Sequence, residues 1–489
     1  MTLRLPLFTA ALVCGSLAHA QDQHKQVTTL PDGTLRYAVA KEIPMEFMGV
    51  TQPFILWDST AQFRNDPVRG ENGWVIPKDE EPGAKAKRLH APPEQSAMSR
   101  GGDPVLQKAK PLHGQDKALD LSVDGMLYSS VNPADPCMDV GPNHVILMMN
   151  GGSGGYFRIY NKSFASLGAQ TYLDNFTASV GGAGDPIVQY DALADRWLMS
   201  EFSAAGNRLL VAISQTADPL GSWYAYSYQA TAFPDYPKYG VWNNCYVVTA
   251  NQSTPTIYVL PRANMLAGTA GTVVSFTVPA YGVIGFQSTT PVTFDGGTTP
   301  PAGAPAMFMR MADAAWGAPA DRLEIWNVNY NAGTPASSTI TGPAILNTAI
   351  FDTELCGYTS FNCMNQPGSA TTLDPLREVL MNKIHYRNIG GYEALVCAHV
   401  TDVDATDRGG VRWYELRRTG GIGNAWGIHQ QATYSPDAND RWMAGIAINN
   451  NGDIGLAYSV SGTSGGNVYP SLRYTGRYAS DPLGQMTFA

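Results

Sequence analysis

The sequence predicts an all-β protein with the architecture of a β-propeller. Across residues 184–242, short runs of Val, Ile, Leu, Tyr and Trp alternate with polar residues and are interrupted by Gly, Pro or Asp, which is typical of successive antiparallel strands. Two turn sequences also occur twice: 191–197 (DALADRW) returns as 437–442 (DANDRW), and 217–221 (ADPLG) returns as 480–484 (SDPLG). Strands with recurring turns over several hundred residues favour blades repeated around an axis.

The chain divides into three parts. Residues 1–20 have the pattern of a secretory signal peptide, with Arg4, an apolar segment at 5–17 and a small-x-small cleavage site, Ala18-His19-Ala20. Residues 21–115 form an N-terminal extension that ends in a charged, Pro- and Gly-rich linker. Strand patterns then run without a break through residues 116–489, the predicted propeller domain.

About 370 residues at roughly 45 to 60 per four-stranded blade predict seven blades, with six or eight as alternatives. The segment 262–268 (RANMLAG) is predicted to be a helical turn, and the Gly-, Pro- and Thr-rich segment 286–305 a long surface loop. The strand-like pieces of the extension leave three alternatives: a small lobe, a pro-segment that covers the channel mouth, or a strand that completes the last blade.

Composition excludes several classes of protein. The formal net charge of −9 is spread without long runs of one sign, so no nucleic-acid partner is expected. After the first 20 residues, no segment has the ~18 consecutive apolar residues of a membrane span. We expect an exported, unanchored monomer located in the periplasm or the medium.

Export permits disulfides, and five cysteines follow the signal segment. Cys356 and Cys363 bracket a short turn-rich loop, and we predict that they form a bridge. Cys137, Cys245 and Cys397 either are free thiols or contribute one further bridge, and the sequence does not choose between these alternatives.

Several segments between residues 139 and 484 together resemble a large family of exported bacterial proteins with a sialidase-like propeller body. The resemblance implies the fold and export but transfers no catalytic residues, because no activity is settled for that family. Where relatives tend to have a D-x-N-G-D loop, this chain has residues 135–139 (DPCMD). The matching segments are DVGPNHVILMMN, YFRIYNK, GDPIVQYDALADRWLMSEF, DYPKYGVWNNCYVVTAN, KIHYRNIGGYEALVCAHV, GVRWYELR, DRWMAGIAINNNGDIGLAYSV and YPSLRYTGRYASDPLG.

The predicted hairpin at 380–400 carries the densest set of ionisable strand residues. With a turn at 388–392, Arg387 stands opposite Glu393, and Lys383 and His385 share the face of Arg387. On an inner strand that face lines the channel, which makes these four residues our candidate ligand surface. The alternative is a structural cross-strand pair worth ~0.2 to 1 kcal/mol.

A second candidate is an acidic turn that contains Asp402, Asp404 and Asp407. Its carboxylates are suitable ligands for Ca²⁺, although the turn lacks the twelve-residue EF-hand pattern. A solvated turn is the alternative interpretation, and the same alternative applies to Asp135 with Asp139. No other cofactor is predicted.

Known catalytic motifs do not appear. Arg158 lies in a segment only distantly similar to the first arginine motif of sialidases, and Gly152-Ser153-Gly154 is not a nucleophile elbow. Two hypotheses remain: an exported binding or adhesion propeller that recognises a glycan or a protein through one face, and a secreted carbohydrate-active hydrolase or lyase with its site in the channel. The 24 Tyr and 10 Trp residues supply stacking surfaces for the first hypothesis.

Overall fold

The structure is a computed structural model. It describes residues 27–29, 35–37, 40–54, 74–75, 102–111, 122–129, 131–152, 154–173, 181–203, 206–282, 284–358, 360–464 and 466–488. The predicted signal segment, residues 1–20, and most of the predicted linker lie outside these residues.

The described residues confirm the all-β prediction. The strands that precede the blades are β1 (Val27–Thr29), β2 (Leu35–Tyr37), β3 (Lys41–Val50), β4 (Trp74–Val75), β5 (Leu106–Gln107) and β6 (Val131–Asn132). Blade I contains β7 (Cys137–Val140), β8 (His144–Gly151), β9 (Gly154–Asn161) and β10 (Thr171–Tyr172). Blade II contains β11 (Gly182–Asp191), β12 (Arg196–Ser203), β13 (Arg208–Ser214) and β14 (Trp223–Gln229).

Blade III contains β15 (Asp235–Val241), β16 (Tyr246–Asn251), β17 (Thr256–Leu260) and β18 (Gly271–Thr277). Blade IV contains β19 (Thr290–Phe294), β20 (Ala306–Ala312), β21 (Arg322–Asn329) and β22 (Thr339–Asn347). Blade V contains β23 (Ile384–Asn388), β24 (Glu393–Asp402), β25 (Gly409–Arg418) and β26 (Gly427–Tyr434). Blade VI contains β27 (Asp440–Ile448), β28 (Ile454–Gly462) and β29 (Val468–Arg477).

Helical structure in the described residues is brief. The predicted helical turn is present as α1 (Arg262–Leu266). Three 3-10 turns occupy Ala314–Trp316, Pro335–Ser337 and Leu355–Tyr358. No helix among the described residues is long and apolar enough to cross a membrane.

The blades form a β-propeller, because the first strand of each blade from I to V contacts the first strand of the next. These inner strands surround a central channel, and β19 and β23 pair with each other in parallel. The described residues contain six blade units, so the predicted count of seven is not confirmed. The estimate divided the whole length into blades, whereas residues 348–383 form a long connection between blades IV and V, whose described residues contain only a 3-10 turn and isolated bridges.

The prediction of a surface loop at 286–305 is wrong. Its central part is β19, the inner strand of blade IV, and all five residues of this strand are buried. Pro291 and the Thr and Gly residues of this segment lower its apparent strand propensity. Pairing of β19 with β20 on one side and with β23 on the other overrides that local preference. The correction matters because the strand places Asp295 at the channel.

Side-chain hydrogen bonds link blades I to IV near the starts of the inner strands β11, β15 and β19. The Asn150 side chain accepts from the Asp185 backbone N–H at 2.8 Å, which links blade I to blade II. Asp185 in turn accepts from the Tyr236 N–H at 3.0 Å, and Asn251 accepts from the Gln287 N–H at 2.7 Å. Each hydrogen bond ties one blade to the next, although the acceptor lies on the second strand in blades I and III and on the inner strand in blade II.

The N-terminal extension contributes outer strands to several blades. Strand β3 lies between β14 and β18 and so joins blades II and III into one nine-stranded sheet. Strand β2 pairs with β22 of blade IV, and β5 pairs in parallel with β26 of blade V. Among the described residues, none of these strands completes blade VI, where Phe488 instead bridges to Gly476 of β29.

The repeated turns at 191–197 and 437–442 are held by buried tryptophans and ion pairs. Trp197 and Trp442 are both buried, and Asp437 forms a two-point ion pair with Arg441 at 2.7 and 2.9 Å. In the first turn, Asp191 pairs with Arg262 of α1 at 2.6 Å instead of with the neighbouring arginine. The two turns thus share a buried Trp, but their Asp residues pair with arginines at different places in the chain.

The predicted Cys356–Cys363 disulfide is confirmed. The other three cysteines of the described residues are free: Cys245 and Cys397 are buried and Cys137 is partly exposed. Burial raises the pKa of the Cys137 thiol to about 12, so this thiol stays protonated at neutral pH and is a poor nucleophile.

Buried His399 predicts a loss of stability in acid. Its Nδ1–H donates to the Val400 carbonyl at 2.9 Å and its Nε2 accepts from the Tyr414 hydroxyl at 3.1 Å, while burial lowers its pKa to about 3. Because the unfolded chain binds this proton near pH 6.5, the contribution of His399 is present above that pH and is lost as the pH falls towards 3. We expect the free energy of unfolding to fall by about 4 to 5 kcal/mol between pH 6.5 and pH 3 because of His399 alone.

Urea unfolding at several pH values, compared between the wild type and His399→Gln, measures this contribution. The variant should be less stable at pH 7 but should lose less stability on acidification. Equal slopes of unfolding free energy against pH for the two proteins would contradict the assignment.

Candidate functional site

The predicted face of the 380–400 hairpin does lie at the central channel. Strand β23 is the inner strand of blade V, and Lys383, just before it, reaches across to blade I. The Lys383 Nζ lies 3.4 Å from Asp139 Oδ2 and 4.0 Å from Asp295 Oδ2. Both carboxylates raise the pKa of Lys383 against the opposing effect of burial, so the ammonium stays charged between them.

His385 joins blades IV, V and VI through its two ring nitrogens. Its Nδ1 accepts from the Ile448 backbone N–H at 3.2 Å, so in the neutral ring the proton is on Nε2, which lies 2.6 Å from Asp295 Oδ2. Burial lowers the pKa of His385. The pKa of Asp295 is lowered to about 2 despite burial, because Asp295 forms a hydrogen bond with His385 and lies near the charge of Lys383. The cluster at neutral pH is therefore a neutral imidazole beside an ionised carboxylate.

The other two predicted residues, Arg387 and Glu393, lie in different environments. Arg387 donates to the backbone carbonyls of Asp295 and Gly296 and, at 3.0 Å, to that of Ile448, so it clamps blade IV to blade VI. Glu393 does not stand opposite Arg387: the register pairs Asn388 with Glu393, because the turn is one residue shorter than predicted. Its side chain lies on the other face of the hairpin, where it forms a buried ion pair with Arg418 at 2.6 Å.

The channel leaves little space beside this cluster. A cavity of about 20 Å³ lies against Lys383, which is room for about one water molecule and not for a sugar ring. Residues from blades I, II and III and from the connection that precedes blade V line it: Cys137, Met138, Ile187, Val188, Gln189, Lys238, Tyr239, Asn382 and Lys383. The space beside Lys383 is therefore too small for a sugar ring.

The three carboxylates of the predicted calcium turn point to different partners. Asp402 caps the turn by accepting backbone N–H bonds from Asp404 and Asp407, at 3.0 and 2.9 Å. Asp404 pairs with Arg408 at 2.7 Å, and Asp407 accepts from the Cys356 N–H at 2.6 Å. In the described part of the chain no group of three or more His, Cys, Asp or Glu side chains is arranged to hold a metal ion, so Ca²⁺ binding here stays a prediction.

A wider and more open site lies at one end of blade V. Here the β23–β24 turn, the end of β25 and the start of β26 form a shallow groove of about 560 Å³. It lies at the end of the propeller where inner strand β23 ends. The lining residues are Gly391, Tyr392, Arg417, Thr419, Gly427, Ile428 and His429.

A β-bulge places His429 in this groove. The register between β25 and β26 pairs Glu415 with Gln430 and Leu416 with Ile428, so His429 is the extra residue on β26. Such a bulge breaks the regular alternation and re-aims a side chain. His429 is partly exposed, and burial, together with the charges of Arg417 and Arg477, lowers its pKa, so it is neutral at pH 7.

Two contacts hold the Arg417 guanidinium in place. Its Nε donates to Glu415 Oε1 at 2.6 Å, and its Cζ lies 4.0 Å from the centre of the Tyr392 ring. Glu415 is fully buried and also accepts from the Gln430 side chain. Arg417 is itself 25% exposed and makes no hydrogen bond through its Nη atoms within the described residues, so these donors remain for the groove.

Sequence reasoning missed Asp295 and the groove for different reasons. Asp295 was assigned to a loop, although the run Val292-Thr293-Phe294 just before it carries a strand-like pattern. A bulge has no sequence signature that identifies His429. One missed signal was available: Asp135, Asp185 and Asp235, which lie near the starts of three successive inner strands, are spaced at a constant interval.

The structure thus defines a β-propeller whose channel is packed with charged side chains and whose open groove is built from blade V. No family model matches the sequence, and no characterised protein matches it in sequence. Weak structural similarity extends to a subtype N10 neuraminidase-like protein of a little yellow-shouldered bat isolate, with 10% identity over 71% of this chain and 95% of that one and a TM-score of 0.36.

Two further solved structures give similar values. A GH43 protein from Bacillus licheniformis is 10% identical over 71% of this chain with a TM-score of 0.31, and the match spans only 53% of that protein. An endo-arabinase from Bacteroides thetaiotaomicron is 11% identical over 61% of this chain and 94% of that one, with a TM-score of 0.26. Similarities at this level assign no residue roles.

Proposed function

We propose that this protein is an exported carbohydrate-binding propeller that holds its ligand in the groove of blade V. The observation that carries the proposal is the pairing of an aromatic ring with fixed polar donors in an open groove. Tyr392 supplies the ring, Arg417 supplies guanidinium N–H groups, and His429 and Thr419 supply further polar atoms.

The groove suits a sugar chain in size and in chemistry. Ligand sites commonly have volumes of ~300 to 1,000 Å³, and the groove volume of about 560 Å³ lies in this range. Its open shape is compatible with a sugar chain that extends beyond the groove. A rigid blade end with a short turn loses little conformational entropy when it binds.

A second candidate function is glycoside hydrolysis in the channel, and one observation favours it. Asp139 and Asp295 both lie within 4.0 Å of the same Lys383 Nζ, so their carboxylates are close enough for the spacing of about 5 to 10 Å used by glycosidases. Ionised Asp295 would then act as nucleophile or base. The small size of the cavity at Lys383 opposes this candidate, because a sugar ring does not fit there without displacement of Lys383.

A depletion screen of polysaccharides separates the two functions. Purified mature protein is incubated with a panel that includes arabinan, xylan, galactan and polygalacturonate, and both retained protein and released reducing ends are measured. Retention without release supports binding, and release that is lost in Asp295→Asn favours hydrolysis. Absence of both would refute the proposal, and loss of retention with a chelator would support Ca²⁺ at Asp402, Asp404 and Asp407.

A further inference from the structure

We propose that the groove selects a sugar unit that carries a carboxylate, of the uronic acid class. This inference rests on the proposed carbohydrate binding and specifies its ligand. The Nη atoms of Arg417 present two adjacent N–H donors to the groove, which is the geometry that binds a carboxylate in a two-point contact.

The surroundings of Arg417 make its orientation specific. The guanidinium is fixed through Nε by Glu415 and through its face by Tyr392, so only the Nη edge is left to turn outward. Glu415 is itself held by Gln430 and is fully buried, which keeps its carboxylate away from the groove. A ligand therefore meets donors from Arg417 and no competing acid among the lining residues.

His429 adds a dependence on pH. The charged groups that act on it are Arg417 and Arg477, which oppose its protonation, and Glu415, which favours it. A bound carboxylate adds negative charge beside the ring and favours the imidazolium. Binding of an acidic sugar should therefore tighten as the pH falls from 8 to 5, provided that the uronate stays ionised.

The test compares a ligand with and without its charge. An oligogalacturonate and its methyl ester share the same sugar chain, and titration calorimetry measures the affinity of each for the wild-type protein. We expect the acid to bind about tenfold or more tightly than the ester at low salt. Equal affinity for the two ligands would overturn the proposed carboxylate selectivity.

Variants assign the effect to the groove. Arg417→Gln should abolish the preference for the acid, Arg417→Lys should retain part of it, and the exposed Arg473→Gln is the matched control that should change nothing. His429→Gln should remove the pH dependence and leave the preference at pH 8, so a folding defect in one variant does not decide the outcome. An unchanged preference in folded Arg417→Gln would refute the site.

The proposed carbohydrate binding and the proposed uronate selectivity can be refuted separately. If no carbohydrate binds, the proposed function is wrong. If neutral sugars and the ester bind as well as the acid, carbohydrate binding stands and the assignment of a uronate ligand is wrong.

Discussion

Arg412→Met should lower the free energy of unfolding by about 3 to 5 kcal/mol, the cost expected when one partner of a fully buried ion pair is removed. Arg412 Nη2 lies 2.9 Å from Asp103 Oδ2, and neither side chain is exposed to solvent. The same guanidinium donates to Thr433 and to the carbonyls of Ala349 and Ile350. The variant leaves the Asp103 carboxylate buried with one remaining hydroxyl donor, Thr433.

The effect should spread beyond blade V because Asp103 holds the N-terminal extension in place. Leu106 and Gln107 of β5 pair with β26, and Gln107 exchanges two hydrogen bonds of 2.8 Å with the backbone of Met486. Urea unfolding measures the change, and limited proteolysis should cleave the variant faster near residue 103. Arg473→Met, on an exposed strand position, is the control. A loss below about 1 kcal/mol would contradict the structural role of the extension.

Lys383→Met should destabilise the centre of the propeller by about 2 to 3 kcal/mol at pH 7. The figure is below that for a fully buried pair because 19% of the Lys383 side chain is exposed and water screens part of its charge. Without the ammonium, Asp139 and Asp295 face each other as two like charges across the channel. The remaining pair, His385 with Asp295, does not compensate for Asp139.

The loss of unfolding free energy in Lys383→Met should decrease as the pH falls. In the wild type the pKa of Asp295 is lowered to about 2, so its contribution to stability is present above the unfolded pKa near 3.9 and is lost as the pH falls towards 2. The variant loses the part of this contribution that comes from the charge of Lys383 and keeps the part that comes from the hydrogen bond with His385, so its difference from the wild type should be largest at pH 7 and shrink below pH 4. A difference that stays constant from pH 7 to pH 3 would contradict the electrostatic origin.

Much of the fold followed from local sequence patterns. Alternation of apolar and polar residues predicted the strands, the short loop between Cys356 and Cys363 predicted the disulfide, and period-two alternation placed Lys383, His385 and Arg387 on the channel. These features depend on residues close in sequence. Glu393 was misplaced because a register error of one residue moves a side chain to the other face.

The features that sequence did not predict depend on distant partners. Strand β3 pairs with β14 and β18, which lie far along the chain, and its own pattern does not specify which blade edge it joins. Asp295 acquires its role only because Lys383 and His385 reach it from another blade. The groove exists because a bulge re-aims His429 beside Arg417, and nothing local marks that bulge in the sequence.

Blade V contains two regions with different roles, one at the central channel and one at the open groove. Lys383, His385 and Arg387 tie blades I, IV and VI to blade V, and a ligand that entered among them would have to separate these contacts. Tyr392, Arg417 and His429 lie at the end of the same blade, where no such contact closes the surface. The ligand-binding role predicted for the channel residues stays a prediction.

Hydrogen–deuterium exchange with and without a saturating acidic oligosaccharide tests the location of the site most directly. The account predicts that protection on binding is confined to peptides that cover residues 389–392, 417–419 and 427–429. Protection of the inner-strand peptides 137–140 and 384–388, with no change at the groove, would contradict it and place the ligand in the channel.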